Sequence, residues 1–376
     1  MAGLLTNVDP DGLLEYSVVF TDRSLNHMSE NFQAVMKDLS GMLREIYNSH
    51  KVAIVPGGGT YAMEAVARQF GNQSKCLVIR NGWFSFRWNQ IFETGDFYED
   101  LTVVKARQKS NDSQSPFSPP AIDEVVSKIL EKQPDVVFAP HVETSAGIIL
   151  PEEYLRSVSE AVHKVGGIFV LDCVASGCAW VDMKSVGVDV LISAPQKGWS
   201  STPSAGLVML SEIAAKKIET TVSNSFSMDL KKWLGIMDTY LNGGHAYHTT
   251  MPTDSLKNFR DTMKETREFG FGKVECEQWR LGNGVRSMLS KQGLVSVAAS
   301  GFEAPGVVVC YTDDINIQNG TKFKDNGLQI AAGVPLNCDE KEDFKTFRIG
   351  LFGLDKLYNV DGALDKLQSA VDKIFK

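Results

Sequence analysis

The sequence predicts an α/β protein with a doubly wound, mainly parallel β-sheet and a smaller α+β domain at the C-terminal end. Short apolar runs alternate with amphipathic stretches of helical periodicity. The runs are apolar on both faces, as in strands that helices cover on each side. After about residue 255 the pattern changes to helix, then short strands such as GVVVCYT, then a final helix over 361–375.

The individual elements follow from the same periodicity. A first helix is predicted over 29–49, where Ser29 can cap the N-terminus. Strands are then predicted over 51–57, 75–82, 134–141, 168–172, 189–195 and 205–211, and helices over 60–71, 121–133 and 152–167. The Ser- and Pro-rich stretch 108–120 is expected to be an exposed loop.

Composition and charge exclude several classes of function. The chain has 376 residues, 43% of them hydrophobic and 22% charged, which is ordinary for a folded enzyme. A net charge of −8 gives no general attraction to nucleic acid or anionic membranes, so neither partner is expected. No secretory signal or apolar run of membrane-spanning length is recognised, which predicts a cytoplasmic protein. Six cysteines without a CxxC pair indicate reduced thiols and no metal site.

Polar residues follow several predicted strands at the point where each leaves the sheet. PGGGT opens the helix at 60–71, HVETSAG follows the strand at 134–141, Asp172 ends IFVLD, and Gln196 and Lys197 end VLISAPQK. Ligands of doubly wound sheets bind beyond the carboxyl ends of the strands, so these residues describe a pocket.

Each of these features also has a simpler explanation. PGGGT suits an anion, because its backbone N–H groups meet at a helix N-terminus, but it also fits a tight turn capped by Thr60. Asp172 could cap the next turn, and Lys197 could extend to solvent. Together, however, a phosphate cup, a buried carboxylate and a strand-end lysine are the three groups that hold pyridoxal phosphate.

Six motifs occur in family order, and they are PGGGTYAMEA, RNGWFSFR, HVETSAG, LDCVASGCAW with GVDVLISAPQKG, YHTTMP and FRIGLFG. On these motifs, the chain from about residue 50 onward resembles the class V aminotransferases of fold type I. It is most similar to their alanine–glyoxylate and serine–pyruvate branch. The resemblance implies a seven-stranded, mainly parallel sheet in the large domain. The expected division is an N-terminal segment near the active site (1–28), a large cofactor-binding domain (29–254) and a small domain (255–376).

The resemblance also implies a role for individual residues. Lys197 would bind the cofactor aldehyde covalently and Asp172 would contact the pyridine nitrogen. Arg348 would clamp the substrate α-carboxylate. The implied cofactor-binding set is Gly59, Thr60, Phe84, Thr144, Asp172, Val174, Gln196, Lys197, Tyr247 and Thr250. Gly59 and Thr60 would bind phosphate, Gln196 and Thr144 the phosphate or ring hydroxyl, and Phe84 and Val174 the two ring faces.

Further implications concern the assembly and the alternative assignments. Tyr247 and Thr250 resemble residues that reach the partner's phosphate in a homodimer. If the match of RNGWFSFR to the family motif is shifted by one residue, Trp83 takes the ring-stacking role instead of Phe84. His141 is expected to be a turn residue without a catalytic role, and Arg87 to order its loop. Arg348 could instead pair with an acidic neighbour such as Asp343.

The implied activity is a pyridoxal-phosphate-dependent transamination. The amino group would pass from an alanine- or serine-like donor to glyoxylate or pyruvate. The usual Gly-Pro-Gly-Pro opening of this branch is absent; the chain has PDGLLEYSVVFTDRSLNHMS there, so a different substrate pocket is expected.

Three rival functions remain open on the sequence. Cys338 lies shortly before Arg348, as the nucleophile of a cysteine desulfurase or lyase would, although its acidic neighbours disfavour a reactive thiolate. A 2-aminoethylphosphonate or phosphoserine donor would need a second anion site. A non-enzymatic nucleotide- or phosphate-binding protein would leave Asp172, Lys197 and Arg348 unexplained together.

Overall fold

The computed structural model describes residues 6–375 and is organised around a seven-stranded β-sheet. The helices in chain order are α1 Glu30–Tyr47, α2 Gly59–Phe70, α3 Trp83–Gly95, α4 Ile122–Lys132, α5 Glu152–Lys164, α6 Met183–Val186, α7 Glu212–Ile218, α8 Leu230–Leu241, α9 Thr253–Phe269, α10 Phe271–Lys291, α11 Ile315–Gln318, α12 Thr321–Asp325, α13 Leu354–Leu357 and α14 Val360–Ile374. The strands are β1 Lys51–Pro56, β2 Lys75–Arg80, β3 Asp100–Lys105, β4 Arg107–Gln108, β5 Phe117–Ser118, β6 Val136–Pro140, β7 Val142–Glu143, β8 Ile148–Ile149, β9 Ile168–Asp172, β10 Val190–Ser193, β11 Ala205–Leu210, β12 Val307–Tyr311, β13 Ala331–Ala332 and β14 Thr346–Gly350.

The large sheet has the strand order β1-β11-β10-β9-β6-β2-β3. Neighbours from β10 to β3 run parallel, whereas β11 is antiparallel to both β1 and β10. Six of the seven strands therefore point the same way, and β11 alone runs back between them. The carboxyl ends of those six strands meet at one edge of the sheet, which confirms the predicted fold class.

Two hydrophobic clusters support the two parts of the chain. The first lies on both sides of the large sheet and includes Leu256, Phe259 and Met263 of α9. The second includes Val274 of α10, together with Cys178 from the turn after β9, and lies against β12 and β14. On core packing alone, α9 therefore groups with the large sheet. The boundary between residues 254 and 255 stays a prediction.

Local signals explain where the helices begin. The Ser29 hydroxyl accepts a hydrogen bond from Phe32 N, which caps α1 as expected, and Asn48 ends this helix in the left-handed conformation. The structure adds α3 and β3, which the sequence pattern did not indicate. No helix among residues 6–375 combines the length and the apolar character that a membrane span requires.

The N-terminal segment 6–28 contains turns but no helix or strand. It is held at its far end, where Leu25 N donates to Asp254 Oδ1 at 2.9 Å and the Tyr240 hydroxyl donates to the His27 carbonyl at 2.9 Å. The end of the segment therefore lies against α8 and the first turn of α9. Residues 1–5 of the expected N-terminal segment lie outside the described residues.

Candidate active site

The parallel strands bring the predicted polar residues to one edge of the large sheet. Ile192 pairs with Asp172, and Asp172 pairs with Pro140, so the ends of β10, β9 and β6 are in register. Lys197 follows β10 and Gly59 follows β1, which point the same way. The topology thus brings together the aspartate, the lysine and the glycine-rich loop 56–60, which is called the phosphate loop after its expected ligand.

The Lys197 ammonium group lies in an environment that favours its neutral form. Burial lowers the pKa of Lys197, the nearby Arg348 and Arg87 guanidiniums lower it further, and Asp172 opposes them. The Lys197 Nζ atom lies 5.3 Å from the centre of the Phe352 ring. A lysine held in this way is a stronger nucleophile and proton acceptor at neutral pH than a solvent-exposed one.

The backbone after Lys197 packs closely against the turn that follows β9. A Cβ atom at Gly198 would collide with the carbonyl group of Gly177. Only glycine allows this approach, and the collision would involve backbone that has no rotamer to change. The contact fixes the lysine-bearing turn against the segment that follows Asp172.

Asp172 is a buried carboxylate with few protein partners. Its side chain is 8% exposed, and Oδ1 accepts a hydrogen bond from Val174 N at 2.9 Å. Burial raises the pKa of Asp172 to about 6, the Glu143 carboxylate also raises it, and Arg87 and Lys197 partly offset the rise. Such a group is stabilised by a cation placed against it.

The phosphate loop meets the Asp172 turn directly. A Cβ atom at Gly59 would lie 2.7 Å from Val174 Cγ2, so the two segments touch at this glycine. Gly58 is the N-cap of α2 and provides no side-chain cap, and a Cβ atom there would meet nothing within 4 Å. Within residues 6–375, the N–H groups of Gly59 and Thr60 at the start of α2 have no hydrogen-bond partner, so both are available to an anion.

Phe84 lies between two arginines in the mouth of the site. The Arg87 Cζ atom is 5.5 Å from the centre of the Phe84 ring, and the Arg348 Cζ atom is 5.6 Å from it. The Trp83 ring instead packs against Phe86, with 6.1 Å between ring centres. Of the two candidate aromatics, Phe84 is the one that lies beside Arg87 and Arg348, and its cofactor-stacking role stays a prediction.

Arg348 projects from β14 of the small sheet toward this ring. Its Nε atom donates to the Ala332 carbonyl at 2.8 Å, and within residues 6–375 it forms no salt bridge with Asp343 or another carboxylate. Burial lowers the pKa of Arg348, and Glu143 partly offsets this effect. The remaining guanidinium nitrogens are available for an anionic substrate group.

The residues present fit pyridoxal phosphate. The Gln196 Oε1 atom is buried without a hydrogen-bond partner in the described chain, so it can accept a bond from a ligand at the base of Lys197. Thr144 is buried at the turn after β6. Open space over Gly58, an underpaired Asp172 and the Lys197 amine match the phosphate, ring nitrogen and aldehyde of this cofactor.

Tyr247 and Thr250 lie apart from the other predicted residues. The Tyr247 hydroxyl and Thr250 Oγ1 are 3.1 Å apart, and the Tyr247 ring lies 5.6 Å from that of His27 in the N-terminal segment. Within residues 6–375, no hydrogen bond or ring contact joins either residue to the Lys197 site.

Two residues of the sequence hypotheses have structural rather than chemical positions. His141 is buried, its Nδ1 atom lies 2.7 Å from Ser176 Oγ, and burial lowers its pKa to about 4. Cys338 is 4% exposed, and its thiol donates to the Arg80 carbonyl at 3.4 Å. Burial, with Glu143 and Glu340, raises the pKa of the Cys338 thiol. A desulfurase needs a mobile, acidic thiol, so this arrangement argues against one.

Glu143 is a positioning residue that the sequence analysis did not single out. Its side chain is fully buried and accepts five hydrogen bonds: from Phe84 N and Ser85 N at the start of α3, from Ser145 N, and from the Ser85 and Ser145 hydroxyls. The carboxylate thereby fixes the helix end that carries Phe84 and Arg87. The sequence feature that could have identified Glu143 is the position of its carboxylate just after the apolar strand predicted at 134–141.

Replacing Glu143 with alanine should lower the free energy of unfolding by about 3 kcal/mol or more, because buried donors would lose their acceptor. Equilibrium urea unfolding measures the loss. Glu131→Ala is the matched control, since Glu131 is 59% exposed and pairs only with surface lysines, and it should cost less than about 0.5 kcal/mol. Similar losses in the two variants would contradict a structural role for the buried carboxylate.

The chain was compared with known proteins. The sequence profile of the family described as "Aminotransferase class-V" matches residues 13–334. A 2-aminoethylphosphonate–pyruvate transaminase from Bacteroides fragilis is 27% identical over 341 residues, covering 85% of this chain and 84% of the relative. An alanine–glyoxylate aminotransferase from Felis catus is 27% identical over 369 residues, covering 93% and 82%.

The fold agrees with these sequence matches. The crystal structure of an alanine–glyoxylate aminotransferase from Nostoc sp. superposes with a TM-score of 0.79 at 20% identity, covering 94% of this chain and 89% of that one. At this identity the likeness shows a common fold. The profile match, which spans most of the chain, shows the family. The chain therefore belongs to the class-V aminotransferase family and is a pyridoxal-phosphate-dependent enzyme.

Proposed function

We propose that the enzyme transfers an amino group from an alanine- or serine-like amino acid to a small 2-oxo acid, glyoxylate or pyruvate, with Lys197 as the reacting amine. The observation that carries this proposal is the proximity of Lys197 to the buried Asp172 and to Arg348, whose guanidinium forms no salt bridge within residues 6–375. Relatives named alanine–glyoxylate aminotransferase support both the donor and the acceptor, and a relative named 2-aminoethylphosphonate–pyruvate transaminase supports the acceptor.

The chain's own residues divide the work of this reaction. Pyridoxal phosphate supplies an aldehyde that binds amines and a ring that accepts the electrons released when a Cα bond breaks. Asp172 would hold a proton on the ring nitrogen, because a buried carboxylate is stabilised by a facing cation. Lys197 would take the proton from the substrate Cα and pass it to the aldehyde carbon of the cofactor, as its lowered pKa favours.

Arg348 would orient the amino acid for that proton transfer. Its Nε atom is already bonded to Ala332, so the guanidinium is fixed while its outer nitrogens remain free for a carboxylate. A bidentate guanidinium–carboxylate pair restricts rotation of the substrate and holds Cα in one place.

Two measurements test the proposal. Borohydride reduction followed by peptide mapping should find the cofactor attached to Lys197 and to no other lysine. A panel of L-alanine, L-serine, L-cysteine, phosphoserine and 2-aminoethylphosphonate should then show which donor releases its carbonyl product and bleaches the cofactor absorbance. Sulfide release from cysteine, or activity with the phosphonate alone, would overturn the proposed substrate class.

We infer further that the enzyme is a cytoplasmic homodimer in which Tyr247 and Thr250 reach the partner's phosphate loop. Large apolar side chains exposed near these elements support an interface: Tyr61 is 55% exposed, Phe226 77% and Tyr247 54%. Mixing two inactive variants, Lys197→Ala and Tyr247→Ala, under exchange conditions should restore part of the activity. A monomer in sedimentation would contradict the shared site.

A further inference from the structure

Arg87 carries a positive charge to the phosphate loop from a different helix. It lies one turn after Phe84 on α3, and its Nη1 atom donates to Thr60 Oγ1 at 2.9 Å. Thr60 lies in the first turn of α2, close to Gly58, the N-cap residue, which provides no side-chain cap. The Arg87 guanidinium thus lies at the entrance of the loop rather than in the loop itself.

The two guanidiniums beside Phe84 mark the two ends of the site. Arg348 is tied to Ala332 on the small sheet, whereas Arg87 is tied to Thr60 at the start of α2, a helix that packs against β11 of the large sheet. Both lie within 5.6 Å of the centre of the same ring. A ligand that stacks on Phe84 therefore has one cation at its phosphate end and another at its substrate end.

The charge balance of the loop requires such a cation. A phosphate monoester carries about −1.5 to −2 charges at neutral pH, whereas a helix N-terminus offers only about half a positive charge. The stretch PGGGTYAMEA contains no lysine or arginine, and the whole chain has a net charge of −8. Within residues 6–375, Arg87 forms no salt bridge, although Asp172 is near enough to interact with it electrostatically, so the guanidinium has no direct carboxylate partner.

We propose that Arg87 is a phosphate-binding residue that supplies the positive charge of the cofactor's phosphate cup. This rests on the cofactor of the proposed function. Because Thr60 Oγ1 accepts its hydrogen bond from Arg87, the Thr60 hydroxyl proton is directed away and can donate to a phosphate oxygen. Arg87 therefore acts twice, through its charge and through the orientation of Thr60.

Binding measurements on the cofactor-free protein test this role without turnover. Pyridoxal phosphate and pyridoxal, which lacks the phosphate, are titrated into wild type, Arg87→Met and Arg87→Lys, with tryptophan fluorescence as the readout. Arg87→Met should weaken pyridoxal phosphate binding by about 10- to 100-fold, leave pyridoxal binding within about threefold, and raise the phosphate pKa seen by phosphorus NMR. Arg87→Lys should recover part of the affinity.

The control is Arg68→Met. Arg68 lies in the last turn of α2, where it is paired with Glu64 and Asn224. This substitution should leave both affinities unchanged. Equal weakening of pyridoxal phosphate and pyridoxal by Arg87→Met would overturn the proposal in favour of a structural role. Unchanged cofactor affinity with a raised KM for 2-aminoethylphosphonate would assign Arg87 to the substrate instead. If wild type bound neither compound, the proposed function itself would fail.

Discussion

Replacing Lys197 with alanine is expected to reduce kcat by at least about 10³-fold, since the variant loses both the reacting amine and the proton carrier. Steady-state kinetics with the donor found in the panel measure the loss. Lys197→Arg should be equally inactive although it keeps the positive charge, because a guanidinium does not release its proton near neutral pH. The comparison separates proton transfer from simple charge.

The fold should survive this substitution. Lys197 makes no salt bridge within residues 6–375, and burial disfavours its charged form, so alanine removes a group that folding does not need. Lys184→Ala, at an exposed position on α6, is the matched control and should retain wild-type kcat. A Lys197→Ala variant with kcat within tenfold of wild type would show that another group performs the chemistry.

Replacing Asp172 with asparagine is expected to reduce kcat by about 10²-fold or more, because a neutral amide cannot stabilise a protonated ring nitrogen. The same substitution should not destabilise the cofactor-free protein. Burial raises the pKa of Asp172 from 3.8 to about 6, so the free energy of unfolding falls as the pH rises through this window. Asparagine removes that cost, and the melting temperature at pH 7 should stay equal or rise.

Asp189→Asn provides the control for Asp172. Asp189 is also a buried aspartate, 1% exposed, but it accepts hydrogen bonds from His163 at 2.8 Å and Phe169 N at 3.0 Å. Its replacement should lower the melting temperature and leave kcat unchanged. If Asp172→Asn behaved like Asp189→Asn, the carboxylate would be a structural group rather than a partner of the ring.

The strands could be predicted because burial on both faces produces continuous apolar runs. Ile168–Asp172 has the predicted bounds, and Lys51–Pro56 and Ala205–Leu210 each end one residue early. Helix α3 was not predicted, because aromatic and polar residues in WFSFRWNQIFETG blur the helical period. The reversed direction of β11 depends on which strands become neighbours, and that information is not local to any segment.

The candidate site was predictable in its parts but not in its contacts. Lys197 and Asp172 could be found because charged groups at the ends of apolar strands are unusual. Glu143 gave a weaker signal, since its role depends on the N–H groups of α3, a helix that the sequence did not indicate. The bond between Arg87 and Thr60 joins the starts of two helices, and no spacing rule connects them.

The two arginines are anchored on separate elements, one at the start of helix α2 and one on the small sheet, and this has an evolutionary consequence. Arg87 is fixed to the element that begins with Gly59, whereas Arg348 belongs to β14, which pairs with β12 and β13 of the small sheet. Under the proposed roles, mutations that tilt or reshape the small sheet would move the arginine that contacts the substrate, while the arginine at the cofactor phosphate would stay in place. This division would allow enzymes that diverge from a common ancestor to use new amino donors while they retain their affinity for pyridoxal phosphate.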